Sequence, residues 1–264
     1  MSGNDTHTPF RARDLLRGWP ADLLLAAGFL TRMPVGHGAR PYGDLAQAAR
    51  AFPLVGLAVG GLAGGVMWLA AGTALGPLAC ALIGLAAAAW LTGALHEDGL
   101  ADVADAMGGG SRERRLEIMR DSRIGTYGVV ALILAVGLKA AVLSGLPGPG
   151  VAWAAFAAAH ALSRAVMAPC MAWMAPARTD GLGHGAGRVD GPGMVQALAL
   201  GGLAALVLLG WQAGLAAIAA AAAAAWVVAR LARRRFGGYT GDVLGTVQQA
   251  AEVSVLIVVG GVIP

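Results

Sequence analysis

The chain has 264 residues, of which 57% are hydrophobic and only 13% charged, whereas about a quarter of the residues in soluble domains are charged. With a mean hydropathy of +0.67, this composition excludes an ordinary water-soluble fold and makes the bilayer the solvent. The net charge of +4 would suit nucleic acid, but the basic residues are placed as topology signals, so no nucleic-acid partner is expected.

Arg11, Arg13 and Arg17 precede only a weak apolar segment without a small-residue cleavage site, so no signal peptide is read there. The run "PADLLLAAGFLTRMP" (20–34) is short and closed by Arg32 and Pro34. It reads as a re-entrant or interfacial helix. A span needs about 20 apolar residues. Such runs occur at 51–75, 77–95, 125–146, 151–174, 193–210, 211–229 and 243–263. Gln248, Gln249 and Glu252 interrupt the last, leaving open whether it fully spans. The expected fold is an all-α integral membrane protein: one polytopic domain over 1–264, with about seven transmembrane helices plus the short N-terminal helix. Forty-one glycines and abundant alanine suit close helix approach in lipid. Cys80 and Cys170 lie in apolar runs without metal-like spacing and read as reduced.

The loops at 72–77, 144–150 and 210–214 carry no charge. Of nineteen Lys and Arg residues, only Lys139 and Arg164 fall inside apolar runs, and the other seventeen map to one side. By the positive-inside rule that side is cytoplasmic. The acids share that face, which the rule does not require, so they need another reason.

In "HEDGLADVAD" Asp98, Asp102 and Asp105 recur at helical spacing and share a helix face. Like charges so placed repel. A divalent cation such as Mg²⁺, bound by carboxylates, waters and substrate phosphates, would turn that repulsion into binding. The segment 96–124 therefore reads as a cytoplasmic catalytic loop, with Asp98, Asp102 and Asp105 as metal ligands and the neighbouring Glu97 counted with them as a spare carboxylate. The bland alternative is a solvated acidic turn. Five arginines follow, and their planar forks suit phosphate. Arg112 and Arg114 fit the topology bias, whereas Arg115 and Arg123 are phosphate candidates. Lys139 and Arg164, ionisable within spans, join them as intramembrane candidates, although Lys139 could simply snorkel. Arg164 shares a helix face with His160, which alone reads as a packing residue. "GGYTGDVLG" (237–245) adds Asp242, either a helix cap or a second half of the same site. Asp180 in "RTDGLG" is a weaker candidate.

"FPLVGLAVG" (52–60), "TGALHEDGLADVADAMGG" (92–109), "RRLEIMRDSRIGTYG" (114–128) and "GGYTGDVLG" (237–245), with "TRMP" (31–34), resemble the cobalamin synthase family of adenosylcobinamide-GDP ribazoletransferases. The match runs in order over most of the chain. The resemblance implies a Mg²⁺-dependent enzyme of the bacterial inner membrane that joins adenosylcobinamide-GDP to α-ribazole or its 5′-phosphate and releases GMP. It implies that Asp98, Asp102, Asp105 and Asp242 form the metal and phosphate site. A ribazole oxygen would attack the β-phosphorus, with an aspartate or His96 taking a proton. Glu97 stands where some members have leucine, and Gln249 where some have an acid. The expected partners are these substrates and the bilayer, and homo-oligomerisation is left open.

A CDP-alcohol-type membrane phosphotransferase is the nearest rival, but "DGLAD" has Asp102 where its pattern wants arginine. A secondary transporter would show internal repeats and charges near the midplane, and a non-catalytic scaffold would need no aspartate triad.

Overall fold

The computed structural model describes residues 18–35, 45–179 and 185–263. Its described residues are almost entirely helical, with an isolated bridge between Pro176 and Tyr239. Helix α1 (Trp19–Leu30) is followed by the single turn α2 (Leu45–Ala48), which runs through a 3₁₀ turn into α3 (Phe52–Ala71). Then come α4 (Pro77–Thr92), α5 (Leu95–Ala106), α6 (Arg112–Ile118), α7 (Thr126–Gly145), α8 (Pro149–Ala165) and α9 (Met167–Trp173). The long α10 (Gly191–Arg235) and α11 (Gly241–Val262) complete the chain. Proline opens α1, α3, α4, α8 and α10, where its missing N–H would be unsatisfied anyway.

Among the described residues five stretches are long and apolar enough to cross a membrane, and α4 and α5 pass the same test only taken together, across a bend of 92°. One of them is α10, whose 45 residues would reach about 68 Å if straight, twice what a bilayer core needs. It is not straight. Gly210 has φ 76 and ψ 173, outside the helical region. A Cβ on Gly214 would lie 2.9 Å from the Cα of Leu206, and one on Gly202 would lie 3.6 Å from Ile218. Residues sixteen apart touch only if the chain reverses, so α10 is a helical hairpin. The expected runs 193–210 and 211–229 are its two legs, and the bundle has seven apolar legs. α1, with 12 residues, is too short to span. It is held by the carboxylate of Asp22, which accepts from Arg50 at 2.7 Å.

α8 is the axis of the bundle. From Ala155 to Ala165 every residue is buried. Gly56, Gly60 and Gly64 give α3 a stripe of small residues, and a Cβ on any of them would come within 3 Å of α8, at His160 or Trp153. This is the small-residue packing that lipid favours. Outward faces carry exposed large apolar side chains such as Leu69, Ile133 and Val207.

The two ends of the bundle differ in chemistry. Leu75, Pro77, Ser144, Gly148 and Pro149 gather around a cavity at the uncharged end. At the other end Arg112 donates to the carbonyls of Phe236 and Ala177, stapling α6 to the approach of α11. The α4–α5 bend lies at this charged end. Gly93 (φ 68) and Ala94 (φ 56) are both left-handed, a conformation costing a non-glycine residue about 1–2 kcal/mol. Arg32 packs over Gly93, leaving no room for a Cβ. The bend turns the acidic α5 away from the span. The segment 96–124, read from sequence as a loop, is therefore largely two helices, α5 and α6.

Candidate active site

Asp98, Asp102 and Asp105 project from α5 at the charged end, and the structure gives them three different surroundings. Asp98 is exposed. Asp102 is half-buried, and its pKa is raised from 3.8 to about 7, first by burial and then by the charges of Asp98, Asp242 and Asp105, with Arg178 opposing. Asp105 turns aside: its two oxygens accept from the backbone N–H groups of Gly125 and Gly128, at 2.7 and 2.9 Å. It thus stabilises the start of α7, where a carboxylate meets the positive end of the helix dipole. A Cβ on Gly125 or Gly128 would lie 2.5 Å from an Asp105 oxygen, so "RIGTYG" needs its glycines. Asp105 is engaged as a helix anchor, and the structure does not turn it toward the other carboxylates.

Asp242 arrives from α11. A Cβ on Gly99 would lie 2.8 Å from the Asp242 carbonyl, and one on Gly245 would lie 3.2 Å from the backbone of His96. The two helices therefore touch backbone to backbone, and the Thr246 hydroxyl donates across the contact to Gly99 at 3.1 Å. The cap of α11 is Thr240, whose hydroxyl accepts from the Val243 N–H. Asp242 is free of that duty. Its Oδ2 accepts from Thr240 at 3.1 Å and faces the Arg178 guanidinium at 3.6 Å. Asp98, Asp102 and Asp242 thus lie within electrostatic reach of one another on two helices, with Arg178 as the cation beside Asp242.

Arg178 was hidden among the topology arginines. Its side chain is only 15% exposed, one nitrogen makes a long bond to the Leu116 carbonyl at 3.3 Å, and its Nε is buried without a partner. The one signal for it was its place in "RTDG", where Asp180, the candidate noted there, lies outside the described residues.

The other expected site residues lie elsewhere. Arg123 is 87% exposed and paired with Asp121 two residues away, which holds that carboxyl at about 2. Arg115 is half-buried beside Gly109, with its Nε unpartnered, and remains available for an anion. Lys139 and Arg164 are buried and do not reach the aspartates. Lys139 donates to Glu252 and Gln249, each at 3.0 Å, and Arg164 donates to Glu252 at 2.9 Å. Glu97 faces the same interior network: it accepts from Gln249 at 2.9 Å and lies 3.8 Å from Lys139, pointing away from the would-be metal site. His96 is 1% exposed with both ring nitrogens unpartnered, shut off from any substrate at the charged face. The physical reason is the helical period: residues 96 and 97 face inward where 98 and 102 face out.

Among the described residues, no three His, Cys, Asp or Glu side chains converge closely enough to hold a metal ion as they stand. The donor set still suits a hard cation. Asp98, Asp102 and Asp242 are oxygen donors, the charge of Asp98 adds to burial in raising the proton affinity of the other two, and Mg²⁺ is commonly bound by one or two carboxylates completed by water and substrate phosphate.

Residues 22–260 match the family described as Cobalamin-5-phosphate synthase. A protein of Bradyrhizobium diazoefficiens named adenosylcobinamide-GDP ribazoletransferase is 45% identical over 249 residues, covering 93% of this chain and 95% of that one. Proteins of the same name from Rhizobium etli and Sinorhizobium medicae are 41% and 44% identical, covering 91% and 89% of this chain and 96% and 94% of their own. No solved structure matches the chain. With nearly its whole described length matched, the chain belongs to the cobalamin-5-phosphate synthase family.

Proposed function

We propose that the chain joins adenosylcobinamide-GDP to α-ribazole or α-ribazole 5′-phosphate by phosphoryl transfer, at the cytoplasmic face of the bacterial inner membrane. The observation that carries the site is the gathering of Asp98, Asp102 and Asp242 on two helices with Arg178 alongside, Asp102 being lifted to about 7. Such a cluster is poised for a cation and a proton. The acceptor is a ribose hydroxyl of ribazole in both cases, since a 5′-phosphate on the acceptor would survive in the product. Its oxygen forms a bond to the β-phosphorus, the bond from that phosphorus to the bridging oxygen breaks, and GMP departs with the bridging oxygen.

Asp102 is the residue to take the hydroxyl proton, since a base near the working pH is the effective one. Arg178, whose guanidinium faces Asp242 and is partly exposed, binds a diphosphate oxygen. Arg115 offers a second anion contact. Thr240 orients Asp242. Asp98 and Asp242 would hold Mg²⁺, leaving Asp102 to the proton, and the ion when bound would supply charge neutralisation on the diphosphate.

The test is incubation of purified protein in nanodiscs with adenosylcobinamide-GDP, α-ribazole phosphate and Mg²⁺, with GMP release followed. Release should require all three. Arg178→Lys should lower it strongly, because lysine lacks the planar fork. Full release without Mg²⁺, or none with any ribazole acceptor, would reject the reading.

A further inference from the structure

Away from the aspartates, a cavity of about 400 Å³ lies between α9 and the second leg of α10. Ala222, Ala225 and Ala229 form a small-residue floor along one helix face, while Pro169, Trp173 and Trp226 form the walls. The groove ends in Arg230, Arg233 and Arg234, and no acid among the described residues lines it. Two of these arginines are fixed to its aromatic walls. Arg230 lies over the Trp226 ring at 5.5 Å, and Arg233 donates to the Trp173 carbonyl at 2.8 Å. Both guanidinium groups keep further N–H donors to spare.

The position of this groove identifies its occupant. Its arginines lie at the basic end of the bundle, on the last turns of α10. Trp173 and Trp226 are both largely exposed beside them, as aromatic residues are where a membrane meets water. Away from the arginines its lining is apolar, with Val166, Leu198, Ala222 and Ala225. Elsewhere the outward faces carry projecting side chains such as Leu69 and Val207, whereas here alanines leave a channel. Topology bias explains arginines at this end but not a channel leading to them.

We propose that the groove seats one anionic glycerophospholipid of the bilayer, its phosphate on Arg230, Arg233 and Arg234 and an acyl chain along the alanine floor. Basic pockets between helices on the cytoplasmic side take such headgroups. The site is separate from the carboxylate cluster and does not depend on the reaction proposed above.

Native mass spectrometry of the full chain in a neutral detergent, with phosphatidylglycerol and phosphatidylcholine added together, tests it. One phosphatidylglycerol should be retained per chain, about tenfold or more in preference to phosphatidylcholine, and inorganic phosphate should not displace it. Joint replacement Arg230→Gln, Arg233→Gln and Arg234→Gln should weaken retention about fivefold for each arginine lost. Ala222→Phe with Ala229→Phe fills the slot and should weaken retention while leaving the arginines in place. Equal retention of the two lipids overturns the proposal, as does displacement by inorganic phosphate, which would mark a simple anion site. Undiminished phosphatidylglycerol binding by either variant overturns it too, and the slot variant alone decides if the charge variant does not fold.

Discussion

At Asp102, burial and three neighbouring carboxylates act in the same direction, which is why its pKa rises to about 7. Between the ordinary 3.8 and that value the folded chain keeps a proton the unfolded chain has lost. Folding stability therefore falls as pH rises through that window and levels off above it. Asp102→Asn should remove this slope in thermal melts without Mg²⁺ and melt higher than the parent above about pH 7, yet lose about a hundredfold or more in GMP release. A merely solvated acid would show neither change. Asp242 allows a similar separation, because Thr240 holds the cap. Asp242→Ser should keep the melting temperature and lose about a hundredfold in turnover, whereas Thr240→Ala should cost about 1 kcal/mol of stability. Asp98, Asp102 and Asp242 were legible as acids beside apolar runs, where topology alone would not put them. Arg178 was not, because one arginine among seventeen at the same face carries no mark of which carboxylate it will meet.

The elements meet through glycine. α5 and α11 approach so closely at Gly99 that a methyl group there would strike the Asp242 backbone. Gly99→Ala should push the helices apart and cut GMP release without removing any carboxylate; comparison with Gly110→Ala, where a Cβ has open space, controls for backbone effects. Asp105 anchors α7 through two backbone N–H groups, and hydrogen bonds to a charged group contribute about 1.5–3 kcal/mol each. Asp105→Ala should thus lower stability without changing the dependence of turnover on Mg²⁺ concentration, which a metal ligand would change. The apolar runs were readable because a span needs length and hydrophobicity, and the legs of α10 met that test separately. The α4–α5 bend was not, since Gly93 announces a left-handed residue but Ala94 does not.

On the scale of the whole molecule, a buried ion network ties four helices together. Glu252 of α11 meets Lys139 of α7 and both His160 and Arg164 of α8, while Gln249 reaches Glu97 of α5. Lys139, Arg164 and Glu97 were visible as charges in or beside apolar runs, but one-dimensional spacing cannot tell a charge aimed at substrate from one aimed at a partner on another helix. Glu252→Gln leaves two buried cations short of an anion and should destabilise the fold by about 3–5 kcal/mol, seen as loss of folded protein in detergent rather than a selective loss of turnover. The two-ended charge distribution makes its own prediction. Single cysteines at Ser111 and Gly237 should resist an impermeant reagent applied outside the cell, and one at Ser144 should react; outside labelling at Ser111 would invert the orientation.

The contact between Gly99 and Asp242 joins residues far apart in synthesis. A ribosome will have delivered α5 to the membrane long before α11 emerges, so every nascent or prematurely terminated chain that stops short of residue 241 carries Asp98 and Asp102 without their partner. Such fragments lack one of the three carboxylates of the proposed site. On this proposal the site is complete only once α11 has joined α5 in the bilayer.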